Sequence, residues 1–87
     1  MGYPMKNEDI FFKNLSDLII LHRKKSGLNQ QKLAKLAGIG KTSVFDLEHE
    51  KKTVQINTLL KVLNVLNISI ELSSPLTKTI IIKDQPK

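Results

Sequence analysis

The chain contains no cysteine. A disulfide framework and a thiolate zinc site are both excluded, and nothing points to an oxidising compartment. Long apolar runs are missing too. None approaches the ~20 residues that a membrane-spanning helix needs. The first ten residues, MGYPMKNEDI, hold no apolar signal-peptide core, so the expected location is cytoplasmic. No internal repeat or low-complexity segment is evident. Acidic residues are few: 8 against 14 basic ones, for a net charge of +6 and a pI of about 9.7. A basic surplus suits a polyanionic partner, nucleic acid above all, although solubility alone is the simpler account.

What is present reads as one small globular domain. The 87 residues are 40% hydrophobic and 25% charged, a folded rather than disordered composition. A core this small is thin, and without covalent staples it often depends on a partner subunit. Asn7 is a helix-cap candidate, with Glu8 and Asp9 suited to the positive end of the helix dipole. Phe11, Leu15, Leu18 and His22 then recur at helical spacing, flanked by Phe12 and Ile19. HRKK followed by Gly27 ends this first helix. Asn29 is the next cap candidate, opening a short helix with Leu33, Ala34, Leu36 and Ala37 inward. Gly38 stops it. A third helix, KTSVFDLEH, turns Val44 and Leu47 inward. A fourth carries Ile56, Leu59, Leu60, Leu63 and Leu66 on its inner side. After Asn67 the period changes to two. Ile68, Ile70 and Leu72 alternate with Ser69, Glu71 and Ser73, the pattern of a strand with one buried face. SPLT reads as a turn and KTIIIK as a second β segment.

The stretch LNQQKLAKLAGIGKTSVFDLEHEK, residues 28–51, resembles the helix-turn-helix of the XRE, or Cro/CI-type, family. Leu28, Gln30, Leu33, Ala34, Gly38, Ile39, Val44, Leu47 and Glu48 match that pattern in register across two helices and a turn. The matches have physical sense. A small Ala34 lets two helices cross closely, and Gly38 permits the positive φ that ends the first of them. The resemblance implies a DNA-binding domain with its second helix in the major groove. It also implies a structural ion pair between Arg23 and Glu48, locking the first helix to the end of the recognition helix. Alternatively, Arg23 is a solvated cation at a helix end. Three positions depart from the pattern. Gly40 replaces the usual Ser or Thr of the turn, Phe45 a small polar residue, and Glu50 the usual glycine after the recognition helix.

By position in the resemblance, Lys41, Thr42, Phe45 and Asp46 are the candidate base contacts. Lys41 suits guanine O6 and N7, Thr42 a base or a thymine methyl, and Asp46 cytosine N4. Asp46 has a second reading, as the partner of Lys41. Phe45 also has two, against a thymine methyl or sugar, or at the edge of the core. Asn29, Gln30, Ser43, Lys51, Lys52 and Thr53 are the candidate phosphate contacts, which position the protein without reading sequence. His22 and His49 lack ligand spacing, so no metal site is expected. GKTS lacks the earlier glycine and the preceding strand of a phosphate-binding loop. No cofactor is expected and no enzyme signature is present.

The expected fold is mainly α: a lambda-repressor-like four-helix domain over residues 7–67, a β dimerisation element over 68–83 and a tail over 84–87. The helix-to-strand switch resembles the HipB subgroup. That resemblance implies an antitoxin which binds operators of its own operon and holds a HipA-like kinase toxin. Dimerisation has its own physical reason. A lone strand leaves edges unpaired, and two copies around a two-fold axis can cover Ile68, Ile70 and Leu72. A hairpin within one chain is the alternative, and is compatible with it. The expected partners are operator DNA, a second copy of the chain and a HipA-like toxin, with no membrane. The rival readings are a phage-type repressor or restriction–modification controller without a toxin, and a protein-interaction module that has lost DNA binding.

Overall fold

The computed structural model describes residues 7–82. The expected tail and residue 83 lie outside them. Four helices are followed by a two-stranded sheet: α1 (Asn7–Lys25), α2 (Gln30–Ala37), α3 (Lys41–Glu48), α4 (Ile56–Leu66), β1 (Ile70–Ser74) and β2 (Thr77–Ile82). Asn7 is itself within α1, so it does not cap that helix from outside. α1 packs on α3 and α4, and α2 on α3 and α4. One core results: Leu15 and Ile19 from α1, Leu33, Ala34 and Ala37 from α2, Val44 and Leu47 from α3, and Leu59, Val62, Leu63 and Leu66 from α4.

Several apolar residues expected inside are not. Phe11 and Leu18 are exposed, while Phe12, Leu15, Ser16 and Ile19 form the inner face of α1. The stripe is rotated by part of a turn, toward the face that α1 packs into the shared core with α3 and α4. Leu36 is 55% exposed: α2 meets its neighbours through Leu33, Ala34 and Ala37, and Leu36 points off that arc. Ile56 is 67% exposed because it is the first residue of α4, ahead of the turns that reach the core. Val62, which is not among the expected inner residues of this helix, is fully buried.

Two polar details tie the helices. The Ser16 hydroxyl, buried among apolar neighbours, donates to the Leu47 carbonyl at 2.6 Å and accepts from the Glu50 amide at 3.1 Å. This fastens α1 to the end of α3. Glu50 stands in the left-handed region at φ 62°, the conformation for which glycine is the usual choice. A side chain there costs ~1–2 kcal/mol, and the bond to Ser16 helps to hold it.

The β segments form an antiparallel hairpin within one chain. Ile70 pairs with Ile82, Glu71 with Ile81, Leu72 with Ile80 and Ser74 with Thr77, with an irregularity between Leu72 and Ser74. The strand starts at Ile70, two residues later than the alternation implied. Ile68 belongs instead to the end of α4: Asn67 adopts φ 59° and the Ile68 amide donates to the Leu63 carbonyl at 2.9 Å. Ile68 and Ile70 are half-buried against the helical core. Leu72 is 53% exposed, so the expected buried face ends at Ile70. A two-stranded sheet has too little apolar face to be stable alone in water.

Two stability changes follow from this packing. Leu33→Ala should destabilise by ~2–5 kcal/mol, as a buried leucine truncation does, while Leu36→Ala should stay within about 0.5 kcal/mol. Urea unfolding of both variants measures the contrast. Glu50→Gly should raise stability by about 0.5–1 kcal/mol. The relieved strain exceeds the ~0.4–1 kcal/mol that added freedom of the unfolded chain takes back. A lower melting temperature than the parent would contradict it.

Candidate nucleic-acid interface

The interface is built from α2, the turn and α3. The Asn29 side chain caps α2, accepting from the Lys32 amide at 2.7 Å. α2 ends at Gly38, φ 73°, and the Ile39 amide closes the turn on the Ala34 carbonyl at 3.0 Å. Ala34 is 3% exposed, so a larger residue there would push α2 away from its neighbours. Gly40 precedes α3 and supplies no side-chain cap. The first turn of α3 therefore gains no hydroxyl bond of the kind Ser or Thr would give.

α3 turns Val44 and Leu47 into the core, leaving an outward row. Lys41, Thr42 and Phe45 are exposed, and Asp46 is half-buried. Asp46 pairs with Lys51 at 3.4 Å, not with Lys41. That pairing leaves Lys41 without Asp46 as a partner and places a carboxylate beside the row. Phe45 does not sit at the core edge. It is 47% exposed and stacks on His49.

Behind the row is a nearly buried charge cluster. Arg23 Nε donates to Glu48 Oε2 at 2.5 Å and Nη2 to Oε1 at 3.1 Å. Arg23 Nη1 donates to the Leu28 carbonyl at 2.8 Å, and Gln30 Nε2 to Glu48 Oε1 at 3.0 Å. The side chains of Arg23 and Glu48 are 11% and 3% exposed. A two-pronged guanidinium–carboxylate contact resists rotation as well as separation. It joins the end of α1, the entry to α2 and the end of α3.

The candidate phosphate contacts fall into separate groups. Asn29, Gln30 and Lys41 line one shallow depression with Arg23 and Gln31, at the entry to α2. Ser43, Lys51 and Thr53 line a second with Asp46, Gln55 and Thr58, on another side of α3. Lys52 joins neither. It bonds to Asp9 and lies 3.3 Å from Glu8, both at the start of α1. These carboxylates, Asp9 first, hold its pKa above the ordinary lysine value.

Sequence reasoning missed two contributors. Ser16 is one; the signal was a small polar residue between Leu15 and Ile19 on an otherwise apolar face. Gln30 is the other: a phosphate candidate by position, it also holds Glu48 through its amide. His22 Nδ1 lies 2.9 Å from the Leu18 carbonyl, a local contact within α1. Among the described residues no cluster of His, Asp or Glu is arranged to hold a metal ion.

A helix-turn-helix family model matches residues 19–72. The chain belongs to the helix-turn-helix family. It is a DNA-binding transcriptional regulator of the XRE type. A regulator from Sinorhizobium fredii, the uncharacterised HTH-type transcriptional regulator y4mF, is 39% identical over 62 residues, covering 71% of this chain and 82% of the relative. Among solved structures, a chain of a HipA–HipB–O2–O3 complex superposes with a TM-score of 0.66 at 23% identity, over 85% of this chain and 99% of that one. An HTH_3 family transcriptional regulator from Vibrio cholerae gives 0.63 at 25% identity, over 72% of this chain and 35% of that one. The agreement of folds covers the mainly α, four-helix architecture with its short C-terminal β element. No helix of the described residues is long and apolar enough to cross a membrane.

The charge cluster generates a stability prediction. Glu48→Ala leaves the Arg23 guanidinium nearly buried without its counter-charge. Removing one partner of such a pair costs ~3–5 kcal/mol. Chemical denaturation should show this loss, and a shift within 1 kcal/mol would mean that water replaces the carboxylate freely.

Proposed function

We propose that the protein is a dimeric, operator-binding repressor and the antitoxin of a HipBA-type operon, which it represses while holding a HipA-like kinase toxin. The observation that carries this reading is the fold likeness to a HipB-complex chain across nearly that chain's whole length. A regulator without a toxin is the second reading. It draws support from the 39% identical relative, whose name describes only a transcriptional regulator. Co-expression with a kinase-like protein encoded next to this chain decides between them. A stable complex on size-exclusion chromatography supports the antitoxin, and separate elution supports the plain regulator.

Within this reading Lys41, Thr42, Phe45 and Asp46 face base edges from α3. Lys41 donates to guanine, Thr42 meets a base or methyl, and Asp46, steadied by Lys51, accepts from cytosine N4. Asn29 and Gln30 on one side, and Ser43, Lys51 and Thr53 on the other, take phosphate oxygens. Lys52 contributes there only by leaving Asp9 and Glu8. Arg23 and Glu48 do not touch DNA; they fix the angle at which α3 is presented.

The hairpin supplies the dimer. Its strands are paired on their inner edges, and Leu72 is exposed where Ile68 and Ile70 are not. A second copy, docked through the outer edge, would cover Leu72 and extend the apolar strip begun by Ile68 and Ile70. It would also set two α3 helices ~34 Å apart, one turn of DNA.

On an inverted repeat from its own promoter the protein should bind at ~10⁻⁸ M or tighter, and far more weakly on random duplex. Affinity should fall steeply with added salt as lysines displace counterions. Lys41→Ala and Thr42→Ala should relax base preference by ~1–3 kcal/mol at particular positions. Gln30→Ala should weaken all sequences alike. Equal affinity for promoter and random DNA at matched salt sinks the operator reading.

Leu72→Lys tests the dimer more cleanly than a change at Ile70, because Leu72 has little to do with the helical core. Light scattering should report a folded monomer, with weaker operator binding, since half-sites would be engaged one at a time. A dimer that survives this change would move the interface elsewhere.

A further inference from the structure

The outward row of α3 carries one aromatic ring among polar neighbours, and it is not alone. Phe45 and His49 stack with ring centroids 3.8 Å apart and planes inclined by 19°. His49 Nδ1 lies 2.7 Å from the Phe45 carbonyl oxygen. A carbonyl only accepts, so Nδ1 carries the hydrogen. His49 is the residue that ends α3, and both rings are exposed. The bond and the stack together fold the imidazole back over the last turn of the helix. The imidazole therefore covers one face of the phenyl ring, which lies outside the core.

The helical period places Phe45 four residues after Lys41 and three after Thr42, on the same exposed side. A phenyl ring has no hydrogen-bonding group. In the major groove the one apolar group that distinguishes a base is the thymine 5-methyl, for which phenylalanine is an apolar partner. A ring already held in place loses less side-chain entropy on contact than a free one. We propose that Phe45, held by His49, selects a thymine 5-methyl group at one position of each half-site. Phe45 makes the contact, and His49 is a positioning residue. The inference rests on the DNA-binding reading and adds to it a base, a chemical group and a supporting residue.

The experiment begins by selecting preferred duplexes from a random library with the full chain. Each thymine of the selected site is then replaced by deoxyuridine, which removes only the methyl group, and binding is measured at fixed salt. One thymine in each half-site should lose about four-fold in affinity, the fold-change equivalent to ~0.8 kcal/mol for one buried methyl-sized group. Phe45→Ala should abolish that difference between thymine and deoxyuridine. His49→Asn, which keeps a donor but removes the ring, should reduce it. His49→Phe, which keeps the ring but removes the donor, should restore most of it. Circular dichroism confirms that each variant is folded, as exposure of both rings leads one to expect. A selected site in which no thymine is sensitive overturns the inference and leaves DNA binding standing. So does a full thymine preference in Phe45→Ala. A full preference in His49→Asn overturns the positioning role. Failure to enrich any sequence overturns the DNA-binding reading and the inference with it.

Discussion

The Arg23–Glu48 pair is the contact on which the geometry of the interface depends. α1 and α3 are far apart in sequence, and α3 has only eight residues, too few to be helical by itself in water. It needs a partner at each end. Its start is set by the turn after Gly38, and its end by Glu48, whose carboxylate is gripped by Arg23 and Gln30. Ser16 adds a second fastening about two turns earlier on α1, through the Leu47 carbonyl and the Glu50 amide. Burying a charge pair adds little net stability compared with apolar packing, but it is directional. Two parallel hydrogen bonds define an orientation, which a cluster of leucines does less strictly.

The core behind these contacts has a single layer of apolar side chains shared by four short helices. That economy explains its unusual surface. α1 has apolar residues on a second side, Ile10, Phe11, Leu18 and Leu21, all partly or largely exposed. Among the described side chains, Ile70 of the hairpin and Ile68 just before it pack against the helical core. A chain of this size has too few elements to cover every apolar side chain it carries. A dimer through the hairpin would remove part of that exposure, so oligomerisation and stability would be linked in this protein.

Electrostatics sorts the lysines in a way that net charge hides. The overall charge is +6, yet the cations do not act as one patch. Lys52 is engaged by Glu8 and Asp9 at the start of α1, Lys51 by Asp46, and Lys13 by Asp17. Lys41 stands at the start of α3, on the outward side of the helix. Such exposed pairs exchange readily with phosphate, because each is worth little in water. Net charge therefore says little about which lysines are free to meet a polyanion.

By itself the sequence determined the elements and their order. Helical spacing, the Asn29 cap, Gly27 and Gly38 as stops, and the change of period after Asn67 are local signals, governed by backbone sterics and side-chain periodicity within a few residues. The in-register match from Leu28 to Glu48 was equally legible, because a helix-turn-helix needs small and apolar residues at set intervals. Tertiary structure alone decided which side of each helix became the inside. Phe11, Leu18, Leu36 and Ile56 carry the same hydrophobicity as buried residues beside them, and only the direction of the neighbouring helix separates the two groups. The same holds for partners of charged groups. Asp46 took Lys51 over Lys41, Gln30 turned toward Glu48, and Lys52 reached back to α1, since each choice depends on distances between elements that no local pattern encodes. The hairpin, finally, required both strands to be placed before its register existed, and Leu72 stands exposed although it shares a strand face with the half-buried Ile70.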